Sequence, residues 1–212
     1  MCFSASMDLT AGMLVTGLGV DALSHVTQRE QKPLAALPLI FGIHQLVETT
    51  VWWRVDGQAS AQASAVAVFV YLLIALGIVP LLVPYAFLRI RLTNPPIAWI
   101  CLAAGVATTC LDMWGMGKGP MAAHQAGHHL AYDLTVPYSQ IGLPLYVFAT
   151  CVPALLGRSN LLRLFGVVNL IVVSILAALA QNGIVSLWCV WAAITSVLIC
   201  AYLRREARLA RT

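Results

Sequence analysis

Ala35-Ala-Leu-Pro-Leu-Ile-Phe-Gly-Ile-His-Gln-Leu-Val-Glu-Thr-Thr-Val-Trp-Trp53 is an apolar stretch long enough to cross a bilayer core, and it holds an imidazole and a carboxylate. A hydrocarbon core needs about 20 such residues in a helix. His44 and Glu48 stand four apart, so helical geometry puts them on one face. At membrane depth each ionisable group costs roughly 2.5 kcal/mol or more unless it is paired, hydrated or bound. The pair is therefore the first candidate site.

The rest of the chain supports a membrane reading. Of 212 residues, 60% are hydrophobic and 9% charged, and the mean hydropathy is +0.86. Soluble domains carry about 25% charged residues. Seven apolar stretches are predicted as spans: 5–26, 35–54, 64–88, 96–115, 137–156, 161–181 and 184–203. The expected fold is thus an all-α bundle of seven transmembrane helices, a single domain over 1–212. Gln181-Asn182-Gly183 reads as a tight turn that makes the last two spans antiparallel neighbours. Pro80 and Pro84 are expected to kink the third helix, and Pro144 and Pro153 the fifth. Gly12, Thr16 and Gly19 give the first helix a small-residue face suited to close packing.

Cations set the orientation. Arg29, Lys32, Arg89, Arg91, Arg158, Arg163, Arg204, Arg205, Arg208 and Arg211 fall on alternate connections and the tail, against Arg54 and Lys118 on the other side. The positive-inside rule then predicts an outer N-terminus and a cytoplasmic C-terminus. The net charge of +4 is explained by topology and calls for no nucleic acid. The terminal arginines are placed to meet anionic headgroups. No basic n-region precedes the first apolar run, so no cleavable leader is expected. The six cysteines show no CxxC and no disulfide framework.

This orientation gathers the unusual side chains at the outer end. His44 and Glu48 are joined there by Asp112 near the end of the fourth span. His124, His128 and His129 lie in the long outer segment 115–136, and Cys2 and Asp8 lie at the N-terminus. Cys189 and the aromatics Trp52, Tyr132 and Trp188 fall on the same side. Imidazoles with carboxylates are the donor set of a divalent metal site, zinc first. If the stretch were helical, His124 and His128 would present two imidazoles on one face. Met113, Met116, Met121, Cys2 and His124 form a softer set that suits copper. A haem would need a loop histidine opposite His44. A retinal protein is excluded, because the seventh span has no lysine for a Schiff base. Asp21 and His25 lie near the inner end, within reach of the basic connections.

Met1-Cys-Phe-Ser-Ala5, Leu37-Pro-Leu-Ile-Phe-Gly-Ile-His-Gln-Leu-Val-Glu48 with Trp52, Gly127-His-His-Leu-Ala-Tyr132, Leu145-Tyr-Val-Phe-Ala-Thr150 and Ser186-Leu-Trp-Cys-Val-Trp-Ala-Ala193 together cover nearly the whole chain. In these motifs the protein resembles a family of small bacterial integral membrane proteins of no established function. The resemblance implies a multi-pass protein of the bacterial cytoplasmic membrane. Members of that family often carry Gln at the position of His44, which implies that Glu48 is the more essential of the pair. A looser similarity is to seven-helix zinc-dependent lipid hydrolases of the alkaline ceramidase and progestin/adiponectin-receptor type. The motifs depart from theirs, since the histidine pair follows the fourth span and no Ser-x3-His occurs in the second.

The expectation is therefore a metal-binding site in the outer half of the bundle, with His44, Glu48, His124, His128 and His129 as ligands. Glu48 or Asp112 would serve as general base for metal-assisted hydrolysis, or the site would carry a redox reaction, on a lipid-like or small-molecule ligand. Cys2 and Cys189 are candidate thiol ligands or a redox pair. The rival class is a proton or cation transporter along Glu48, His44 and Asp112. The third is an accessory subunit of a membrane complex or a homo-oligomer. In that case the Gly12–Gly19 face would be buried against a partner.

Overall fold

The computed structural model describes residues 4–127, 129–134, 139–158, 160–179 and 184–210, with side chains at all of these except 139, 161, 176–179 and 184–189. The described chain is mostly helical. Its helices are α1 (Ala5–Ser24), α2 (Lys32–Val55), α3 (Ala61–Arg89), α4 (Pro95–Met116), α5 (Ser139–Leu155), α6 (Asn160–Leu179) and α7 (Ile184–Leu209). Between α4 and α5 stand two short strands, β1 (Ala122–Ala126) and β2 (His129–Asp133). Among the described residues, three helical stretches are long and apolar enough to cross a membrane: 29–55, 61–89 and 95–116. That is the composition of a membrane protein.

Local chemistry sets the helix starts. The Ser4 hydroxyl accepts from the Met7 N–H at 3.3 Å, and Ser60 does the same for Ala63 at 3.1 Å, each satisfying a donor that the first turn leaves open. A 3-10 turn over Arg29–Gln31 precedes α2, and Gln31 Oε1 accepts from the backbone of Thr27 and Gln28. Prolines occupy the first turns of α2 and α4, where a missing N–H costs nothing.

The glycines of α1 and α2 bring the two axes together. A Cβ at Gly12 would lie 2.8 Å from the Leu46 side chain. One at Gly19 would collide with the Leu39 backbone, and one at Gly42 with Thr16. These contacts define one antiparallel register, with 12 beside 46, 16 beside 42 and 19 beside 39. The small-residue face of α1 is thus filled by α2 of the same chain rather than left for a partner.

A π-helical turn over Leu73–Ile78 interrupts α3 just before Pro80. The two prolines remove N–H groups from the ladder, and the wider turn shifts its register where the sequence predicts a kink. Carbonyls in this stretch find side-chain donors instead. Tyr146 donates to Ala75 O at 3.1 Å from α5, and Thr109 to Gly77 O at 3.1 Å from α4. Pro84 cannot donate to Pro80 O, and α4 packs against that carbonyl with Gly105, where any Cβ would collide.

Two apolar clusters form the core. One joins Val15, Leu37, Phe41, Ile74, Ala86 and Leu203 from α1, α2, α3 and α7. The other joins Val51, Trp52, Tyr71, Leu72, Met116 and Leu130, so that β2 is part of the bundle rather than an appendage. Asn169 ties the last three helices together: its Nδ2 donates to Cys151 Sγ on α5 at 3.1 Å, and its Oδ1 accepts from Trp191 Nε1 on α7. The turn at Gln181-Asn182-Gly183 lies outside the described residues.

Strands β1 and β2 pair as an antiparallel hairpin, so within the segment read from sequence as a loop His124 lies on a strand and not on a helix. Ala126 pairs with His129, leaving a two-residue turn in which Gly127 has φ +64°. That left-handed conformation suits glycine and closes a hairpin that follows strand twist.

Candidate functional site

At the hairpin end of the bundle the structure builds its site around Glu48. This side chain is fully buried, as are its α2 neighbours Gln45 and Thr49. Tyr132 on β2 donates its hydroxyl to Glu48 Oε1 at 3.2 Å. The Tyr132 ring stacks on Tyr71 of α3 at 4.5 Å between centroids, and Tyr71 stacks on His44 at 3.9 Å. His44 and Glu48 are one turn apart on α2, so the four side chains form a closed circuit: imidazole, phenol ring, phenol ring, carboxylate. Offset aromatic stacking and the phenol hydrogen bond hold it shut.

Asp8 stands at a similar level. The register of α1 against α2 puts residue 8 beside residue 50, so Asp8 and Glu48 differ by about 3 Å along the axes at the usual rise. Asp8 is fully buried. Trp52, one further turn along α2, is 3% exposed, and its Nε1 has no hydrogen-bond partner among the described residues.

The other expected site residues are placed differently. Residues paired across an antiparallel ladder point to the same face, and successive residues alternate. His124 pairs with Ala131, so His124, Ala131, His129 and Asp133 share one face, opposite Leu130 and Tyr132. His124 Nδ1 meets Asp133 Oδ2 at 3.1 Å, with both side chains more than half exposed. The hairpin thus presents Tyr132 to Glu48, and its histidines His124 and His129 look the other way. Asp112 of α4 faces α5, where a Cβ on Gly142 would lie 3.8 Å from its Oδ1. Among the described residues it takes no hydrogen bond or ion pair. Thr108, one turn earlier, is fully buried, and its hydroxyl also lacks a partner there. Cys2 and His128 lie outside the described residues, as do the side chains of Trp188 and Cys189.

No group of three His, Cys, Asp or Glu side chains able to hold a metal occurs among the described residues. His44 and Glu48 supply two donors from one helix. Strand alternation turns the imidazoles of His124 and His129 away from this pair, and His128, also expected as a ligand, lies outside the described residues.

At the opposite, basic end, Asp21 receives a bidentate fork from Arg204, Nε to Oδ2 and Nη2 to Oδ1, both at 2.8 Å. Cys200 donates to the same carboxylate at 2.8 Å, and His25 Nδ1 stands 3.5 Å from it. The hydrogen bond to Asp21 raises the Arg204 pKa above its ordinary value. This cluster ties α1 to α7 and satisfies Asp21 fully, as its position among basic connections predicts.

Sequence reasoning missed Tyr71 as a member of the site. A tyrosine inside an apolar run carries a visible signal, since a buried phenol needs a partner. The chain belongs to a family of unknown function (DUF6629), whose model matches residues 1–212. No curated protein and no solved structure matches it.

Proposed function

We propose that this member of a family of unknown function is a seven-span protein of the bacterial cytoplasmic membrane, N-terminus outside, that binds and releases a cation at Glu48. The working site lies in the outer half of the bundle, and the cation is a proton in the first instance. One observation carries the reading: a fully buried carboxylate accepts a hydrogen bond from the phenol of Tyr132 on the hairpin. Such a carboxylate accepts a proton or a cation when its hydrogen bond is exchanged. The hairpin is the cover, and His44, stacked one turn below, is the neighbouring proton acceptor. The bidentate lock on Asp21 at the other end supports a site with one opening rather than a through-going channel.

The spacing of His44 and Glu48 favours a second reading, a metal site on α2. Imidazole and carboxylate one turn apart suit zinc, and further ligands would have to join them. A Lewis-acidic metal there would supply water activation for hydrolysis of a lipid-like substrate, with Glu48 positioned to hold it.

Acid pulses given to the purified protein in weakly buffered detergent solution, followed with a pH-sensitive dye, test the first reading, and elemental analysis of the same sample tests the second. Proton uptake in the wild type that is lost in Glu48→Gln supports proton exchange. A stoichiometric metal lost in both His44→Ala and Glu48→Gln supports the metal site. Wild-type behaviour of Glu48→Gln in both measurements sinks the proposal and leaves the pair structural.

A further inference from the structure

The basic end of the molecule carries a feature that the Glu48 site does not use. Two adjoining cavities of about 570 and 660 Å³ open beside the α3–α4 connection, and both are lined by Glu30, Arg89 and Arg91. The first is completed by Leu88, Pro95 and Trp99.

Arg91 is the unusual residue. It sits just past the end of α3 with φ +51°, the only non-glycine residue in the left-handed region among those described. The helix ends in a Schellman arrangement: Leu92 N–H donates to Phe87 O at 3.1 Å and Arg91 N–H to Leu88 O at 3.3 Å. Glycine is the usual residue at that position, because a Cβ there is strained. A strained residue is retained where the surroundings fix it and its side chain is used. The surroundings do fix it. The Arg158 N–H donates to Leu92 O at 2.8 Å, and the Thr93 hydroxyl donates to Pro153 O.

The charge in the cavities is unevenly committed. Arg89 is held by the Tyr85 hydroxyl at 2.7 Å and by Glu30 at 3.6 Å. Arg91 takes no ion pair among the described residues, so its guanidinium is the uncommitted cation of the first cavity, where Glu30 is spent on Arg89; the second cavity also holds Glu206. Its fork matches the paired oxygens of a phosphate. Trp99, which lines the first cavity, is 60% exposed and gives the opening an apolar flank with a tryptophan at interfacial depth. The N-terminus of α4 at Pro95 adds the positive end of a helix dipole.

We infer that the first cavity forms a site for the phosphate of an anionic phospholipid, with Arg91 as the phosphate ligand and Trp99 with Leu88 as the apolar flank for the acyl chains. Basic pockets between helices at the cytoplasmic surface are suited to such headgroups. The strain at Arg91 is then a cost borne for placing a guanidinium where glycine would fold more easily.

The test uses the full chain purified in neutral detergent, titrated with phosphatidylglycerol and, separately, with phosphatidylcholine, with bound lipid counted by native mass spectrometry. Arg91→Gly is the deciding variant, since it removes the charge while placing the favoured residue in the left-handed turn. Its melting temperature, measured without added lipid, is expected to match or exceed the wild type. Its affinity for phosphatidylglycerol is expected to fall about tenfold, the equivalent of about 1.4 kcal/mol, with phosphatidylcholine binding unchanged. Glu30→Gln is expected to bind phosphatidylglycerol more tightly. Wild-type affinity in Arg91→Gly, or no preference for the anionic lipid in the wild type, overturns the assignment. Inorganic phosphate is the remaining arm: if it binds with the same dependence on Arg91 and displaces the lipid completely, the site is for free phosphate and the lipid assignment fails.

Discussion

Tyr132 and Glu48 are 84 residues apart in sequence and 3.2 Å apart in space, the phenol donating to the carboxylate. The bond ties the hairpin to α2 and closes that end of the bundle over the one acid of the helix. Covering and anchoring are therefore one contact.

Removing that donor should loosen the cover without emptying the core. Tyr132→Phe keeps the stack on Tyr71 and loses only the hydroxyl. We expect a loss of about 1–3 kcal/mol, the cost of depriving a buried group of its partner, seen as a lower melting temperature in detergent. Hydrogen exchange at 122–133 should quicken. Unchanged exchange in the hairpin would mean that stacking alone holds it.

The α1–α2 interface should tolerate no added carbon. Gly19→Ala and Gly42→Ala each drive a Cβ into the facing helix, and overpacking of this kind costs about 1–3 kcal/mol. Gly17 has nothing within 4 Å of its ideal Cβ, so Gly17→Ala should be stabilising by up to about 1 kcal/mol through helix propensity. Thermal melts of the three variants check the contrast. Equal melting temperatures would remove the close-packing argument.

The π-helical turn of α3 should depend on donors from its neighbours. Thr109→Val and Tyr146→Phe strip the bonds to Gly77 O and Ala75 O, each at about 1 kcal/mol. Amide exchange near 73–84 is the direct readout, and acceleration confined to that stretch is the expected result.

His124 should matter little. Its contact with Asp133 is exposed, and exposed ion pairs contribute about 0–1 kcal/mol. His124→Ala is expected to leave both the melting temperature and any bound metal unchanged. A metal lost in this variant would place the hairpin's outer face in the site after all.

The helical elements were legible because burial in a bilayer leaves long apolar runs, and the capping residues Ser4 and Ser60 mark their starts. His44 and Glu48 stood out for the same reason: a charge inside such a run is conspicuous. The small-residue face Gly12, Thr16 and Gly19 was visible as a pattern, but its partner, Leu39–Leu46 of the next helix, follows only from the register. The hairpin escaped because its strands are short and alanine-rich, and its one signal is the two-residue turn at Gly127. With His124 in a strand, pleat alternation turns it from Glu48 and brings Tyr132 in. The contact across 84 residues is tertiary, and no spacing in the chain encodes it.

The close antiparallel register of α1 and α2 bears on how the protein enters its membrane. Asp8 and Asp21 make α1 a poor candidate for insertion by itself, and each finds its shelter elsewhere in the chain: Asp8 at the level of Glu48, Asp21 on Arg204 of α7. During synthesis only the first of these shelters is close behind. On the proposed seven-span reading, we therefore expect α1 to cross only together with α2, as a helical hairpin. The glycines that let the axes touch are, in this light, elements of biogenesis as much as of the finished fold.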